Sequence, residues 1–323
     1  MSRVELDVGV ADTGLPPVAR QGRAGPPVVS NLSALRARLE RTRAVHGWRD
    51  VASRRRLVVV SGFAAFALVI LLLVLAVDAP AVGWANELTR AARRLVRVVT
   101  RLGRSDWLLI PSGVLVLVLL AGDWRRAGRR AAAAWTEVGS LAGFFFVAVA
   151  LSGMTGNVLK VVLGRSRPVL LDSDGALALT PFSFHYASLS FPSGHAITAA
   201  AAATALALIY RGRPWVAVVA GGFALAIAAS RVLVRAHYPT DIVAGLFIGF
   251  AVTFLLAQVF GRRGIAFRHD ADGRLVPNTM AIRRVFGSRA GRREAFAGLR
   301  AAFLGPPRSA PSGAACGKAS AEV

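Results

Sequence analysis

Cysteine is almost missing from this chain: 323 residues contain one, Cys316. A lone thiol excludes an intramolecular disulfide framework, and its distance from the C-terminus excludes a prenylation box. Lysine is nearly as rare, with Lys160 and Lys318 set against 38 arginines. Acidic residues number only 17, which leaves a net charge of +23. Such a basic chain raises the question of nucleic acid, but no nucleic-acid module pattern is present, so no nucleic-acid partner is expected. Metal ligands are also sparse. His269, Asp270 and Asp272 crowd together, yet their spacing matches no metal loop and reads as a polar Asp-Gly turn. No metal and no cofactor are expected. A leader is not visible either: the first apolar run begins only at Leu57, so the N-terminus reads as a tail.

Apolar sequence is abundant, at 54% of residues, and unevenly distributed. Six runs carry no charge: Leu57–Val77, Trp107–Gly122, Val138–Leu159, Ala196–Tyr210, Pro214–Ser230 and Ile242–Gly261. Crossing a bilayer takes about 20 apolar residues. The first, third and sixth runs suffice; the others need flanking residues or local thinning. Six such runs in series have no use in a soluble protein. The fold class expected is therefore all-α, a six-transmembrane-helix bundle with disordered or interfacial basic tails. Its parts would be an N-terminal tail (1–52), a membrane domain (53–261) and a basic C-terminal tail (262–323). From Asn31, Leu32, Leu35, Leu39 and Val45 recur among arginines, which suits an interfacial helix or an ordinary solvated one. Residues 283–304 suit another surface helix. Gly245 and Gly249 form a small-xxx-small pair, read as close packing inside the bundle.

Arginine placement sets an orientation. Arg54–Arg56, Arg125–Arg130, Arg211, Arg213 and Arg262–Arg268 fall on one side if both termini are cytoplasmic. The arginines would meet anionic lipid headgroups there. Arg90, Arg93, Arg94, Arg97, Arg101 and Arg104 disagree, and interleave with Leu88, Ala92, Leu95, Val99 and Leu102. They read as an amphipathic helix on the outer surface.

Three segments then fall together on the outer side. The first runs from Lys160 to Arg167-Pro168, the second is Pro192-Ser193-Gly194-His195, and the third holds Ser230-Arg231, His237 and Asp241. Cations at span ends are costly and usually functional. Arginine's planar fork suits phosphate oxygens, whereas Lys160, in a chain otherwise built on arginine, supplies a compact point charge. Ser193 suits an N-cap, and a helix N-terminus attracts anions. Gly194 lets the backbone approach a phosphate closely. His237 and Asp241, four apart after a helix-starting Pro239, share one face, so the carboxylate can hold one imidazole nitrogen and free the other. Pro111-Ser112-Gly113 repeats the tripeptide without the histidine, inside a span, and is coincidence. His185, in the long connection from Pro168 to Phe191, lies outside the motif spacing; that connection suits a lid or a substrate-selecting loop.

The pattern Lys-x6-Arg-Pro, Pro-Ser-Gly-His and Ser-Arg-x5-His-x3-Asp resembles the type 2 phosphatidic acid phosphatase family (PAP2), which shares its site with vanadium haloperoxidases. The resemblance covers about residues 57–260. It implies a six-helix, metal-independent membrane phosphatase with an outward-facing site; the six apolar runs disfavour a haloperoxidase, whose members are soluble. It also implies His237 as nucleophile forming a phosphohistidine, Asp241 as its orienter and His195 as general acid. Lys160, Arg167, Ser193, Gly194 and Arg231 would bind phosphate. The expected substrate is a membrane lipid phosphate or pyrophosphate, in the cytoplasmic membrane. Two rivals stay open: a lipid phosphotransferase, and a non-enzymatic anion-binding protein.

Overall fold

The computed structural model describes residues 26–41 and 52–305. Cys316, Lys318, residues 1–25 and the positions of Arg43 and Val45 lie outside the described residues. In chain order the elements are α1 (Pro27–Arg41), α2 (Ala52–Leu73), a π-helical turn (Val74–Asp78), α3 (Ala79–Asn86), α4 (Arg90–Arg101), α5 (Asp106–Ala121) and α6 (Arg129–Leu163). They continue with α7 (Leu171–Asp174), α8 (Gly194–Ile209), α9 (Pro214–Leu233) and α10 (Pro239–Arg262). A β1–β2 hairpin (Phe267–His269, Leu275–Pro277), α11 (Met280–Phe286) and α12 (Arg289–Leu304) complete the chain.

The protein is a mainly helical membrane bundle. Among the described residues, five helical segments are long and apolar enough to cross a membrane: Val60–Asn86, Arg90–Ala121, Arg129–Leu163, Pro214–Leu233 and Pro239–Arg262. The fourth apolar run forms α8, which has only 16 residues, about 24 Å at 1.5 Å per residue. Its shortness follows from its place. Ala196, Ile197, Ala200, Ala201 and Ala205 are buried against protein, with α6, α9 and α10 packed around it, so α8 has no need to match lipid. Gly245 and Gly249 do belong to the bundle interior. A Cβ on Gly245 would sit 2.7 Å from the Ser193 carbonyl oxygen, and one on Gly249 would strike the Ile197 carbonyl. That approach seats α10 on the first turns of α8 and fixes the position of the Ser193 segment.

At the opposite end of the bundle, α6 runs far beyond the apolar layer. Its 35 residues span about 52 Å, against a hydrocarbon thickness of about 30 Å. The C-terminal stretch, read from the sequence as a basic tail with a surface helix over 283–304, packs on that extension. Trp135 Nε1 donates to the Ala295 carbonyl at 2.9 Å, and Glu137 Oε2 accepts from the Ile282 N–H at 2.9 Å. Gly298 lets α12 close on Ala131. The stretch therefore carries fixed structure to Leu304, because alanine and glycine on both helices permit contact while the arginines stay outside. The His269–Asp272 region is the polar turn expected: Asp270 Oδ1 accepts from the Asp272 and Arg274 N–H groups, and His269 meets Gln258. At the same end, α1 begins ahead of Asn31, whose side chain donates to the Leu120 and Gly122 carbonyls at 3.0 and 3.2 Å. Those carbonyls, left open where α5 ends, gain a partner.

Candidate active site

The three segments meet at one end of the bundle. Lys160 lies in the last turn of α6, which Gly164 ends in a left-handed conformation (φ 61°). Any side chain at Gly164 would collide with the Thr180 backbone, so the chain turns sharply and delivers Arg165 and Arg167 to the same region. Lys160 Nζ donates to the Leu189 and Ser190 carbonyls at 3.0 and 3.3 Å. Arg167 donates to the Tyr186, Ala236 and Leu189 carbonyls and stacks on the Tyr186 ring at 3.8 Å. The 168–191 connection thus holds both cations through its backbone. His185 on that connection is exposed.

Ser193 occupies the N-cap position of α8 but does not cap it, contrary to the expectation from its residue type. Its backbone is extended (φ −70°, ψ 114°) with no side-chain cap bond, and its Oγ is buried without a partner. Gly194 sits beside Lys160, whose Cε would lie 3.9 Å from an added Cβ. His195, one residue on, packs against Gly103, whose added Cβ would approach its Cδ2 to 2.9 Å. Arg231, in the last turn of α9, donates from Nη1 to Thr100 Oγ1 at 2.8 Å, while its Nε is buried and unpartnered. Buried polar atoms normally find partners, so the free Ser193 Oγ and Arg231 Nε are positions where an anion's oxygens would be satisfied. Thr100 lies in the last turn of α4, so the arginine-rich helix reaches the same end of the bundle as the motifs.

His237 precedes α10 and is 3% exposed, whereas Asp241 is fully buried. Nδ1 of His237 lies 3.4 Å from Asp241 Oδ2, yet Nδ1 makes no aligned hydrogen bond. Burial pushes the His237 imidazole down to about 4, with nearby Asp241 opposing the shift. A free histidine titrates near 6.5, so between about 4 and 6.5 the unfolded chain binds the extra proton. Stability therefore rises with pH across that window and is lost as pH falls through it, by about 1.4 kcal/mol per pH unit at most. The thermal midpoint of detergent-solubilised protein should drop more for wild type than for His237→Gln between pH 6.5 and 4.5. Equal drops would contradict a neutral, buried His237.

Asp241 is itself held from several directions, and here the sequence reading missed the main partners. Its Oδ1 accepts from Arg165 Nη1 at 2.7 Å, and its Oδ2 from Ser190 Oγ and the Tyr238 N–H. Arg165 Nη2 reaches Asp78 Oδ2 at 2.7 Å. Asp78 also accepts from the Thr240 N–H and hydroxyl, and it comes from the π-helical turn after α2. The remaining Arg165 donors go to Thr240 Oγ1 and the Ala176 carbonyl, so all five guanidinium N–H groups are used. Its plane stacks on Tyr238, 4.4 Å from the ring centroid. Both carboxylates are thereby engaged by one arginine. Among the described residues no group of three His, Cys, Asp or Glu side chains could hold a metal ion.

This arrangement presents three cations, two histidines and a helix N-terminus to one small region. The sequence pattern of the PAP2 superfamily matches residues 141–265, which contain every one of these motif residues. The chain is 38% identical to a lipid A 1-phosphatase of Rhizobium etli over 196 residues, 61% of this chain and 82% of that protein. It is 36% identical to a lipid A 1-phosphatase of Rhizobium johnstonii over 204 residues, 63% of this chain and 82% of that one. Among solved structures, a PAP2-type phosphatidylglycerolphosphate phosphatase from Bacillus subtilis aligns with TM-score 0.44 and 22% identity, over 62% of this chain and 94% of that one. With the motif residues gathered at one end of an apolar helical bundle, and identity of this extent, the chain belongs to the PAP2 superfamily and is a membrane phosphatase of that family.

Proposed function

We propose that this protein removes a phosphate from a membrane lipid through a covalent phosphohistidine on His237, with the site on the outer face of the cytoplasmic membrane and both termini inside. The observation that carries the reading is the buried Asp241, fixed by Arg165, Ser190 and the Tyr238 N–H, with its Oδ2 beside His237 Nδ1. A carboxylate so anchored holds Nδ1 as N–H and leaves Nε2 with its lone pair. Burial keeps the ring neutral and nucleophilic. Nε2 attacks phosphorus, the bond from phosphorus to the lipid oxygen breaks, and His195 gives that oxygen a proton. Water then attacks the phosphohistidine; His195 takes the water proton, the P–N bond breaks, and inorganic phosphate leaves. Lys160, Arg167, Arg231, Ser193 and the Gly194 backbone gather the phosphoryl oxygens, and the positive end of α8 offsets their developing charge. Charge neutralisation is thus assigned to fixed cations.

The names of the relatives support a lipid phosphate as substrate, and a phosphorylated lipid A is the first to try. The test is phosphate release by purified protein from a panel of phosphatidate, phosphatidylglycerol phosphate, undecaprenyl pyrophosphate and phosphorylated lipid A, with chromatography of the products. Turnover should persist in excess EDTA and fail in vanadate, which adopts the five-coordinate geometry of the transferring group. Loss in EDTA with recovery on adding a divalent metal contradicts the reading. Phosphate appearing on an added alcohol in place of release identifies a phosphotransferase.

A further inference from the structure

A cavity of about 550 Å³ opens beside the site. One wall is the face of α8 carrying Thr198, Ala199, Ala202, Ala203 and Leu206, the i, i+1, i+4, i+5, i+8 stripe of a single helix face. Small side chains on that stripe make the space. The opposite wall is α9, from Trp215 to Ile227, and the α4–α5 junction closes the top. There Gly103 lies between Ile227 and His195: a Cβ on it would sit 2.5 Å from Ile227 Cγ2 and 2.9 Å from His195 Cδ2. Gly103, on the cavity's lining, therefore separates it by one close contact from the candidate general acid. The cavity ends at Tyr210, Arg213 and Trp215, residue types that mark a membrane interface. From Thr198 to Tyr210 is about 18 Å along α8, more than half of an apolar layer of about 30 Å.

We propose that this cavity receives one acyl chain of the lipid phosphate substrate, with the phosphate at His195 and His237 and the chain lying along α8 toward Tyr210. The inference rests on the lipid phosphatase reading and gives it a place for the tail. Three observations select an acyl chain as occupant. The space adjoins the site: Gly103 lines it and packs directly against His195. Its lining is apolar, with Thr198 and, at the far end, Arg213 as the polar exceptions besides the interfacial aromatics, so it suits neither a headgroup nor a second phosphate. Val219 and Trp215 on its outer edge are 62% and 60% exposed, so a chain can enter sideways from the bilayer.

Two variants narrow the cavity without touching the site: Ala203→Phe on α8 and Val219→Trp on α9. Each should be assayed on long-chain phosphatidate and its short-chain homologue, or on the matching pair of whichever panel lipid wild type prefers. For the long chain, kcat/KM should fall at least about tenfold, the equivalent of two methylenes kept out of an apolar site. The short chain should keep kcat/KM within about twofold, which also reports an intact fold. Equal losses on both chains, or no loss on either, overturn the chain-binding assignment while leaving the phosphatase reading in place. Failure of wild type on every lipid of the panel overturns the phosphatase reading, and this inference with it.

Discussion

Arg165→Leu is expected to abolish turnover and to destabilise the protein by about 3–5 kcal/mol, the usual consequence of leaving buried charges without their partner. Arg165 is 4% exposed and joins two carboxylates, Asp78 and Asp241, that are both fully buried. Removing the guanidinium strands both acids and releases Thr240 and the Ala176 carbonyl. Lysine at this position keeps the charge but not the five-donor fork, so Arg165→Lys should fold better than Arg165→Leu and still lose most of its kcat. Arg97→Gln serves as the comparison: Arg97 is exposed on α4 and donates to the Arg93 carbonyl of its own helix, so its effect on stability should stay within about 0.5 kcal/mol. Thermal midpoints and kcat of the purified variants decide the matter. An Arg165→Leu protein with wild-type midpoint and turnover would mean that the buried network does not hold Asp241.

The second large effect divides the two histidines. His237→Ala lacks the nucleophile and should show no turnover of any phosphate ester. His195→Ala keeps the nucleophile and loses protonation of the leaving group, a contribution of about 100- to 10,000-fold. That loss should shrink on an activated aryl phosphate, whose leaving group needs little help, whereas His237→Ala should stay inactive on it. The measurement is kcat/KM for each variant on a lipid phosphate and on the aryl ester. Equal rescue of both variants would contradict the division of roles.

The sequence made much of this arrangement legible for physical reasons that differ by residue. Uncharged runs announce membrane helices, because hydrocarbon tolerates little else. Lys160 stood out as one lysine among arginines, and the His237–Asp241 spacing declared a shared helical face. The gathering of Lys160, Arg167, Ser193, Gly194, His195, Arg231, His237 and Asp241 at one end follows from the up-and-down order of the helices, which brings the ends of α6 and α9 beside the starts of α8 and α10. What stayed hidden has equally specific causes. Asp78 follows directly on the charge-free run Leu57–Val77, and an acid at the edge of a span is by default a functional signal; the π-helical turn that aims it inward has no sequence mark. Arg165 looked like one more arginine in a chain of 38, and only its burial against Asp78 and Asp241 separates it from the others. Ser193 has the residue type of a helix cap, but its hydroxyl is left free, a distinction that needs coordinates. The packing of residues 262–304 depended on alanines and glycines meeting Ala131 and Trp135, contacts far apart in sequence that no local pattern reports.

The account rests above all on His237 as the atom that carries the phosphoryl group. Wild-type protein turning over a lipid phosphate should be quenched under denaturing conditions, digested, and its phosphorylated peptide mapped by mass spectrometry. The account predicts an acid-labile phosphoryl group on His237 in wild type, absent from His237→Ala. A phosphoryl group on any other residue, or one that survives in His237→Ala, contradicts it.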